Sequence, residues 1–383
     1  MRTDRPDSPE VVDAAAGLVA AYVHIPFCRR LCPYCDFAVQ VRGDTDRYVT
    51  ALVAEIDAAD PFARPLDAIA FGGGTPTSLA PDRLAEVLEH LAGRFGLAPG
   101  AEVSIEANPE DLDKDISAGL RSAGFTRISL GVQSLDPFVL QSLGRAHTPE
   151  MALTALGVAR ESFDSVSADL MFGTPGDQGW IDSVRGVIAT DVDHLSLYAL
   201  TVERGTALSR AITAGAPAPD PDEQADCYLA ASALAEAAGL LRYETSNFAR
   251  PGQASVYNLI TWAQGEYAAF GNGAHRHRNG ERSWNVRRVD RYEERALAGE
   301  SPVSDRERMS VWGREVERVL LGLRRTAGVT AGVAGAALLA TPAGGRLVAA
   351  GVMTAEGDRV RVTRPLLGDE VSRELLALAP REC

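Results

Sequence analysis

Three cysteines lie within eight residues near the start of the chain, at Cys28, Cys32 and Cys35. A structural zinc site needs four ligands, usually from two pairs, and Cys227 and Cys383 have no partner nearby in the sequence. Three thiolates can instead hold a cube-shaped [4Fe–4S] cluster and leave one iron open to a further ligand. The C-x3-C-x2-C spacing therefore favours a cluster, with zinc or a structural loop as alternatives.

Further chemically distinctive residues lie where predicted strands end. Gly72–Gly74 follow the second strand, Glu106 ends the third, Gln133 follows the fourth, and Asp169 lies late in the fifth. The carboxyl ends of parallel strands meet at one edge of an α/β barrel, where the chemistry of such barrels is found. Glycines without a Cβ let a backbone approach a ligand closely. We expect these residues to surround one site beside the cysteines.

The elements that position these residues alternate between short apolar runs and amphipathic segments from about residue 20 to residue 200. Apolar residues between positions 84 and 91, for instance, recur at i, i+3, i+4 and i+7, as on one helix face. The alternation predicts right-handed βαβ units in an α/β fold with a parallel sheet, as an open or closed barrel. The candidate strands are Ala21–Ile25, Ala68–Phe71, Glu102–Glu106, Arg127–Leu130, Val166–Met171 and His194–Ala199.

The pattern changes after residue 213. Ala214–Asp222 has the composition of a proline-rich linker, and helices are predicted over Glu223–Leu240 and Arg306–Arg325. The rest of the sequence is predicted to form a small α+β or winged-helix-like domain. The predicted divisions are an N-terminal extension (1–19), a barrel core (20–213), a segment that completes the barrel and the substrate or haem region (214–300), and an accessory domain (301–383).

Charge and hydropathy exclude some classes of function. The net charge of −14 argues against a broad phosphate-binding face, so nucleic acid is not an expected partner. The apolar stretch Val329–Met353 is interrupted by proline, glycine and arginine, and Ala14–Val23 is too short for a signal peptide. We therefore expect a cytoplasmic protein with at most peripheral membrane contact.

The string Tyr22–Phe37, YVHIPFCRRLCPYCDF, resembles the signature of radical S-adenosylmethionine (SAM) proteins. More narrowly, it is similar to the oxygen-independent coproporphyrinogen III oxidase family, and closest to its haem chaperones of HemW type. The resemblance implies a partial (βα)6 TIM-like barrel with a small C-terminal domain, a [4Fe–4S] cluster and SAM. Matching blocks follow in order: FGGGTPTSL from Phe71, SIEANPEDL from Ser104, ISLGVQSLD from Ile128, LGRAHT from Leu143, DLMFGTPGD from Asp169, LSLYALT from Leu195 and YETSNFARPG from Tyr243.

The resemblance also implies a set of SAM-binding residues. In this family SAM chelates the open iron through its methionine amino and carboxylate groups, and the implied chemistry is one-electron cleavage of its C5′–S bond. As alternatives, Glu106 and Asp169 are strand-end charges that face water, and Tyr22 and Tyr34 pack in the core. For His24 and His147, a structural role and a functional role both stay open. The implied cofactor-binding residues are Tyr22, Tyr34, Gly72, Gly73, Gly74, Thr75, Glu106, Gln133, Arg145 and Asp169.

Two functions compete within this resemblance. The oxidases carry a fourth cysteine two residues after the third and a longer N-terminal extension, whereas this chain has Asp36–Phe37 after Cys35 and 27 residues before Cys28. Both differences favour a haem chaperone that delivers haem to respiratory haem proteins. The oxidase, a diverged radical SAM enzyme with another substrate, and a binding protein with a structural cluster stay as alternatives. The implied partners are haem or porphyrin, a haem-accepting respiratory protein, and an electron donor such as flavodoxin or ferredoxin.

HemW-type proteins usually show an HNxxYW motif that is associated with haem binding. Here Tyr257 replaces the histidine, while Asn258 and Trp262 match. We expect haem near Tyr257–Trp262, with Trp262 as a stacking face and either Tyr257 or His275 as iron ligand. His277 is expected to pack rather than to bind.

Overall fold

Six parallel strands, most of them followed by a helix, form the first half of the fold. The computed structural model describes residues 13–380. The strands are β1 Val19–Ile25, β2 Leu66–Gly73, β3 Leu97–Ala107, β4 Arg127–Gln133, β5 Ser165–Phe172 and β6 His194–Ala199. The helices in this part are α1 Thr45–Ala58, α2 Pro81–Phe95, α3 Lys114–Ser122, α4 Pro137–Ser142, α5 Pro149–Ser162 and α6 Trp180–Ile188.

Local sequence signals start and stop these helices. The Asp44 carboxylate accepts a hydrogen bond from the backbone N–H of Arg47 at 3.0 Å, and Thr148 caps α5 in the same way. Pro81 opens α2, and Gly96 follows its end with a positive φ of 71°. The helices cover the outer face of the sheet, because alternate strand residues such as Val23 and Ile25 belong to the main hydrophobic core.

The strands β1 to β6 pair in sequence order but do not close into a ring. β1 pairs on its other side with β9 (Glu266–Phe270), in parallel, and β6 pairs with β8 (Asn247–Ala249), antiparallel. The predicted α/β partial barrel is therefore confirmed, in its open form. The later elements of this sheet are α7 Ala207–Thr213, α8 Pro221–Ala237, β7 Leu241–Arg242, β8 Asn247–Ala249, α9 Val256–Trp262, β9 Glu266–Phe270, β10 His275–Arg278, β11 Glu281–Asn285, α10 Val289–Leu297 and β12 Val303–Arg308.

One predicted helix was wrong at its start. Residues 303–308 form strand β12, which pairs with β11 in the large sheet, and the helix begins only at Val311, after the Ser310 cap. The charged run of β12 carries no apolar periodicity, so its pairing with β11 decides its conformation. Gly72, Gly73 and Gln133 also lie within strands rather than after them.

The C-terminal elements form a second, smaller core. A three-stranded antiparallel sheet has the order β13-β15-β14, and buried residues such as Val319, Met353 and Leu375 join it to the helices. The predicted domain boundary at residue 301 stays a prediction. The elements are α11 Val311–Gly322, β13 Val329–Thr330, α12 Gly332–Leu339, α13 Pro342–Ala349, β14 Met353–Glu356, β15 Arg359–Val362 and α14 Gly368–Leu376.

Within residues 13–380, no single helix is long and apolar enough to cross a membrane. Helices α12 and α13 pass such a test only as a pair, bent by 82° at the break between them.

A buried carboxylate joins α1 to the later strands. The Oε2 atom of Glu55 accepts hydrogen bonds from the backbone N–H of Gly271 at 2.9 Å and from the Tyr292 hydroxyl at 2.7 Å. Its Oε1 atom accepts from Asn285 Nδ2 at 2.8 Å and from Arg276 Nη2 at 3.1 Å. One carboxylate thus holds the chain on both sides of β10.

Removal of this carboxylate should destabilise the fold. Glu55→Ala leaves four donors without their acceptor, one of them the Arg276 guanidinium, and we expect a loss of about 3 kcal/mol in the free energy of unfolding. Chemical denaturation measures this, with Glu89→Ala on the exposed face of α2 as control. Equal stability of the two variants would show that the network contributes little.

Candidate functional site

The three cysteines lie in a loop that leaves β1 and folds back beside it. Backbone hydrogen bonds join Gln40 N to the Pro26 carbonyl at 2.8 Å and Cys28 N to the Gln40 carbonyl at 3.0 Å. The thiols are free, and burial raises the pKa of Cys28 to about 11. The Cys28 thiol therefore keeps its proton at neutral pH unless a metal replaces it.

In the described part of the chain, no group of three or more His, Cys, Asp or Glu side chains is arranged around a single metal ion. The cysteines of a cubane each bind a different iron atom, so they stand farther apart than the ligands of one ion. The cysteine loop therefore corresponds to a cluster site and not to a site for one metal ion.

A chain of hydrogen bonds connects two of these cysteines across the strand ends. Thr75 Oγ1 donates to Cys28 Sγ at 3.9 Å and accepts from Asn108 Nδ2 at 2.9 Å. The Asn108 side-chain oxygen accepts from Arg145, whose Nη1 atom lies 3.7 Å from Cys32 Sγ. Donors directed at sulfur stabilise negative charge there, as a thiolate-held cluster requires. We call Thr75, Asn108 and Arg145 the bridging residues.

The three glycines at the end of β2 differ in what surrounds them. A Cβ on Gly72 would lie 3.0 Å from the carboxylate of Glu106, so the glycine leaves room for this carboxylate beside β2. Gly73 has a φ of 109°, and its Cβ would meet the His24 ring at 2.5 Å. A Cβ on Gly74 would meet the backbone of Pro26 at 2.8 Å. The missing Cβ atoms thus make room for the Glu106 carboxylate at Gly72 and for the packing of His24 and the cysteine loop at Gly73 and Gly74, while Gly73 also lines a cavity.

Two carboxylates face the barrel interior from β3 and β5. The surrounding protein and the negative charge of Asp169 raise the pKa of Glu106 to about 7. Burial also raises the pKa of Asp169, although Ser129 Oγ donates to both of its oxygens at 3.0 Å. Water nevertheless reaches Glu106, and Tyr198 on β6 is 41% exposed, so the interior is hollow. Such a hollow suits a cationic ligand.

A bulge at the end of β4 places two further predicted residues. The pairing of β4 with β5 shifts register between Leu130 and Gln133, and Gln133 has a positive φ of 62°. A Cβ on Gly131 would lie 3.0 Å from Gln133 Nε2 and 3.2 Å from Arg145 Nη2, so glycine lets both side chains approach. Among the described residues, nothing accepts a hydrogen bond from the buried Nε of Arg145. A buried donor without an acceptor is a place where a ligand carboxylate would bind.

The aromatic residues near the cysteines have packing partners. His24 lies 3.3 Å from the Tyr22 hydroxyl through Nδ1 and 3.1 Å from the Ala38 carbonyl through Nε2, so it ties β1 to the cysteine loop. Tyr34 packs against an apolar cluster. His147 lies between Glu110 and the carbonyl of β4 residue 132. Both histidines, left open by the sequence, therefore have positioning contacts at each ring nitrogen.

Sequence reasoning missed Asn108, Ser129, Gly131 and Tyr198. A signal for them existed, because successive side chains of a strand alternate between its faces. Ser129 and Gly131 alternate on one face of β4, and Asn108 follows the end of β3 two residues after the predicted Glu106.

Helix α9 carries the expected haem motif and blocks the amino-terminal end of the barrel. Ile260 packs with Ala20 and Ala68 at the starts of β1 and β2. The Tyr257 ring stacks on Tyr22 with centroids 6.1 Å apart. Tyr257 therefore points into the barrel interior.

The other two motif residues point elsewhere. Asn258 Nδ2 donates to the Tyr243 hydroxyl at 3.3 Å, and the Trp262 ring lies under the Arg324 guanidinium at 4.8 Å. Residues four apart share a helix face, so Asn258 and Trp262 lie on one face and Tyr257 on another. The Arg324 guanidinium covers one side of the Trp262 ring, which was expected to stack on haem. Trp262 and Tyr257 do not face the same space.

A cavity of about 400 Å³ lies between the cysteine loop, α9 and the β10 region. We call it the aromatic cavity. The Nδ1 atom of His277 lies 3.0 Å from the Gly265 carbonyl. His277 therefore packs away from the aromatic cavity, as predicted. The residues that line the cavity are Tyr22, His24, Asp36, Phe37, Ala38, Gly73, Tyr257, Tyr267, Gly273, Ala274, His275 and Arg287.

The raised pKa of Glu106 predicts a pH-dependent stability without added SAM. The folded pKa of about 7 exceeds the ordinary 4.5, so this group favours folding fully below about pH 4.5 and loses that contribution as pH rises through 7. Glu106→Gln removes the dependence, so the Tm of the variant should rise relative to that of the parent protein from pH 5 to pH 8. Thermal melts at four pH values test this, with Glu89→Gln as control. A constant difference in Tm would contradict the assigned pKa.

Comparison with known proteins bears on this site. Residues 22–180 match the family model described as the Radical SAM superfamily. The chain is 40% identical over 371 residues to the heme chaperone HemW of Mycobacterium tuberculosis, which covers 93% of this chain and 94% of that protein. It is 36% identical over 323 residues to HemW of Bacillus subtilis, covering 81% and 84%.

The fold matches that of the coproporphyrinogen III oxidase HemN of Escherichia coli, a radical SAM enzyme, with a TM-score of 0.79, 21% identity, and coverage of 96% of this chain and 93% of that one. These findings confirm the resemblance and the radical SAM fold, and membership of the superfamily implies a [4Fe–4S] cluster and SAM as cofactors. This chain belongs to the HemW family of radical SAM proteins.

Proposed function

We propose that this protein is a haem chaperone, which binds a [4Fe–4S] cluster, SAM and haem and delivers haem to respiratory haem proteins. The observation that carries the proposal is the aromatic cavity, which opens directly beside the cysteine loop. Its tyrosine rings and the 63% exposed Phe37 offer apolar surface to a flat ligand. Relatives that this chain matches over most of their length are heme chaperones, and this supports haem as the ligand.

Cys28, Cys32 and Cys35 are the proposed cluster ligands. Thr75 and Arg145 direct donors at two of the three sulfurs and so offset the negative charge that a cluster with its thiolates would carry. The bridging residues also connect the cysteine loop to β2, β3 and the segment after β4. This connection fixes the loop against the strand ends, where SAM is proposed to bind.

The proposed SAM site lies in the hollow lined by Glu106 and Asp169. Burial raises the pKa of both carboxylates, and the charge of Asp169 adds to the effect on Glu106, so a positively charged ligand would favour their ionised forms. The Nε of Arg145, which has no acceptor among the described residues, suits the carboxylate of the methionine moiety, and Gly72, Gly73 and Gly74 are proposed to let the backbone approach SAM closely. Together, the cluster and SAM supply one-electron chemistry when bound, and the protein orients them and excludes water. Gln133, Tyr22 and Tyr34 are proposed to contact the same ligand.

Asp36 and Phe37 distinguish this proposal from an oxidase. They occupy the positions where the oxidases carry their fourth-cysteine pattern, and both line the aromatic cavity. A haem-accepting respiratory protein, an electron donor such as flavodoxin or ferredoxin, and a cytoplasmic location complete the proposal.

Metal analysis tests the cluster. Protein reconstituted without oxygen should hold about four iron and four sulfide per chain. Cys32→Ala should reduce both to near zero, because two thiolates do not retain a cubane. Cys227→Ala is the matched control, since Cys227 lies on α8 and packs against the main core. Full iron content in the Cys32 variant would contradict the assignment.

Haem and porphyrinogen assays test the function. Cluster-loaded protein with SAM should bind one haem and should not convert coproporphyrinogen III, and 5′-deoxyadenosine analysis in the same samples shows whether SAM is cleaved. Protoporphyrinogen formation without haem binding would make the oxidase the correct assignment. If the protein neither binds haem nor forms protoporphyrinogen, the result would indicate a diverged enzyme with another substrate.

A further inference from the structure

Two residues of the aromatic cavity compete as ligand of a bound haem iron, Tyr257 and His275. Tyr257 ligates iron as a phenolate, so it must lose its proton. Its ring lies between Tyr22 and Tyr267, with centroids 6.1 and 6.0 Å away. Burial and the neighbouring charges of Tyr267, Tyr22 and Glu106 raise the pKa of Tyr257 far above its ordinary value. The cavity thus favours the neutral phenol, which is a poor iron ligand.

His275 has the opposite properties. It begins β10, its side chain is exposed, and no hydrogen bond to its ring is found within residues 13–380. The ring stacks on Trp284, its cross-strand partner, with centroids 5.5 Å apart and planes at 21°. Partial burial and the charges of Arg287 and Arg282 lower the pKa of His275, so the imidazole is neutral. Neutral imidazole with a free nitrogen is the common haem ligand.

The backbone beside His275 is held firmly. Glu55 binds Arg276 and the backbone N–H of Gly271, as described above. Asn272 Nδ2 donates to the Ala38 carbonyl of the cysteine loop at 2.8 Å. A ligand fixed in this way meets an incoming metal without rearrangement, which is a requirement of a preorganised site.

Arg287 supplies a positive charge at the rim of the same cavity. Its Nη2 atom donates to the Asp36 carbonyl at 2.7 Å, so the guanidinium lies against the cysteine loop. It also borders a second cavity of about 710 Å³, which Arg288, Arg291 and Arg295 help to line. A guanidinium binds a carboxylate through two parallel hydrogen bonds. The rim therefore suits the propionate groups of haem.

We propose that His275 is the axial iron ligand of haem in this protein, with the porphyrin in the aromatic cavity and a propionate at Arg287. This inference rests on the proposed function. The usual haem motif has a histidine where this chain has Tyr257, and here the imidazole of His275 on the neighbouring strand takes the role of that histidine. The cavity is open, so a ligand bound from one side stays accessible to an acceptor protein.

Haemin titration followed by absorbance tests the ligand. His275→Ala should weaken haemin binding by about tenfold or more and shift the Soret band, because the iron loses its nitrogen ligand. Added imidazole should restore the parent spectrum in His275→Gly. Tyr257→Phe should keep the Soret position, and His90→Ala, at an exposed histidine paired with Asp57, is the matched control.

The outcomes separate the two claims. If the parent protein binds haemin and His275→Ala matches it in affinity and spectrum, this inference fails and the proposed function stands. A changed spectrum in Tyr257→Phe alone would assign the iron to the phenol. If the parent protein binds no haemin, the proposed function and the inference both fail. Unchanged iron content of the cluster in each variant shows that the fold is intact.

The propionate contact has its own readout. Arg287→Gln should weaken binding of haemin but not of haemin dimethyl ester, which has no carboxylates, and Arg306→Gln on the exposed strand β12 should affect neither. An equal loss for haemin and its ester would overturn the role of Arg287.

Discussion

The hydrogen bonds of Thr75, Asn108 and Arg145 hold the cysteine loop against the ends of three successive strand segments. They add to the backbone hydrogen bonds of the loop and direct donors at the sulfur atoms of Cys28 and Cys32. Asn108 is central because its amide accepts from Arg145 and donates to Thr75, so a single side chain sets the direction of both donors. The geometry proposed for the cluster and for SAM depends on this arrangement.

A second network, centred on Glu55, extends the same order to the aromatic cavity. It holds the segment from Gly271 to Arg276, and Asn272 in that segment binds the Ala38 carbonyl of the cysteine loop. The cysteine loop is therefore a wall shared by the proposed cluster site and the proposed haem site. The Nε2 atom of His24 lies 3.1 Å from the Ala38 carbonyl in this wall, and both residues line the aromatic cavity.

Much of the fold could be predicted because period-2 and period-3.6 patterns, with proline and glycine at their ends, mark the strands and helices of the barrel. The strand Val303–Arg308 could not, since its charged residues carry no pattern and only pairing with β11 decides it. Trp262 and Tyr257 belong to one sequence motif, yet helical geometry sends them to different surroundings. The choice between Tyr257 and His275 needs the partial burial of one ring among other tyrosines and the exposure of the other, which no local pattern contains.

Hydrogen–deuterium exchange on adding haemin to the cluster-loaded protein tests the central claim most directly, because it locates the ligand without assuming which residue binds iron. The account predicts slower exchange in three segments that surround the aromatic cavity, residues 36–40, 256–262 and 266–285, and unchanged exchange in α11 to α14. Protection confined to the C-terminal helices, or around Trp262 and Arg324 alone, would contradict it.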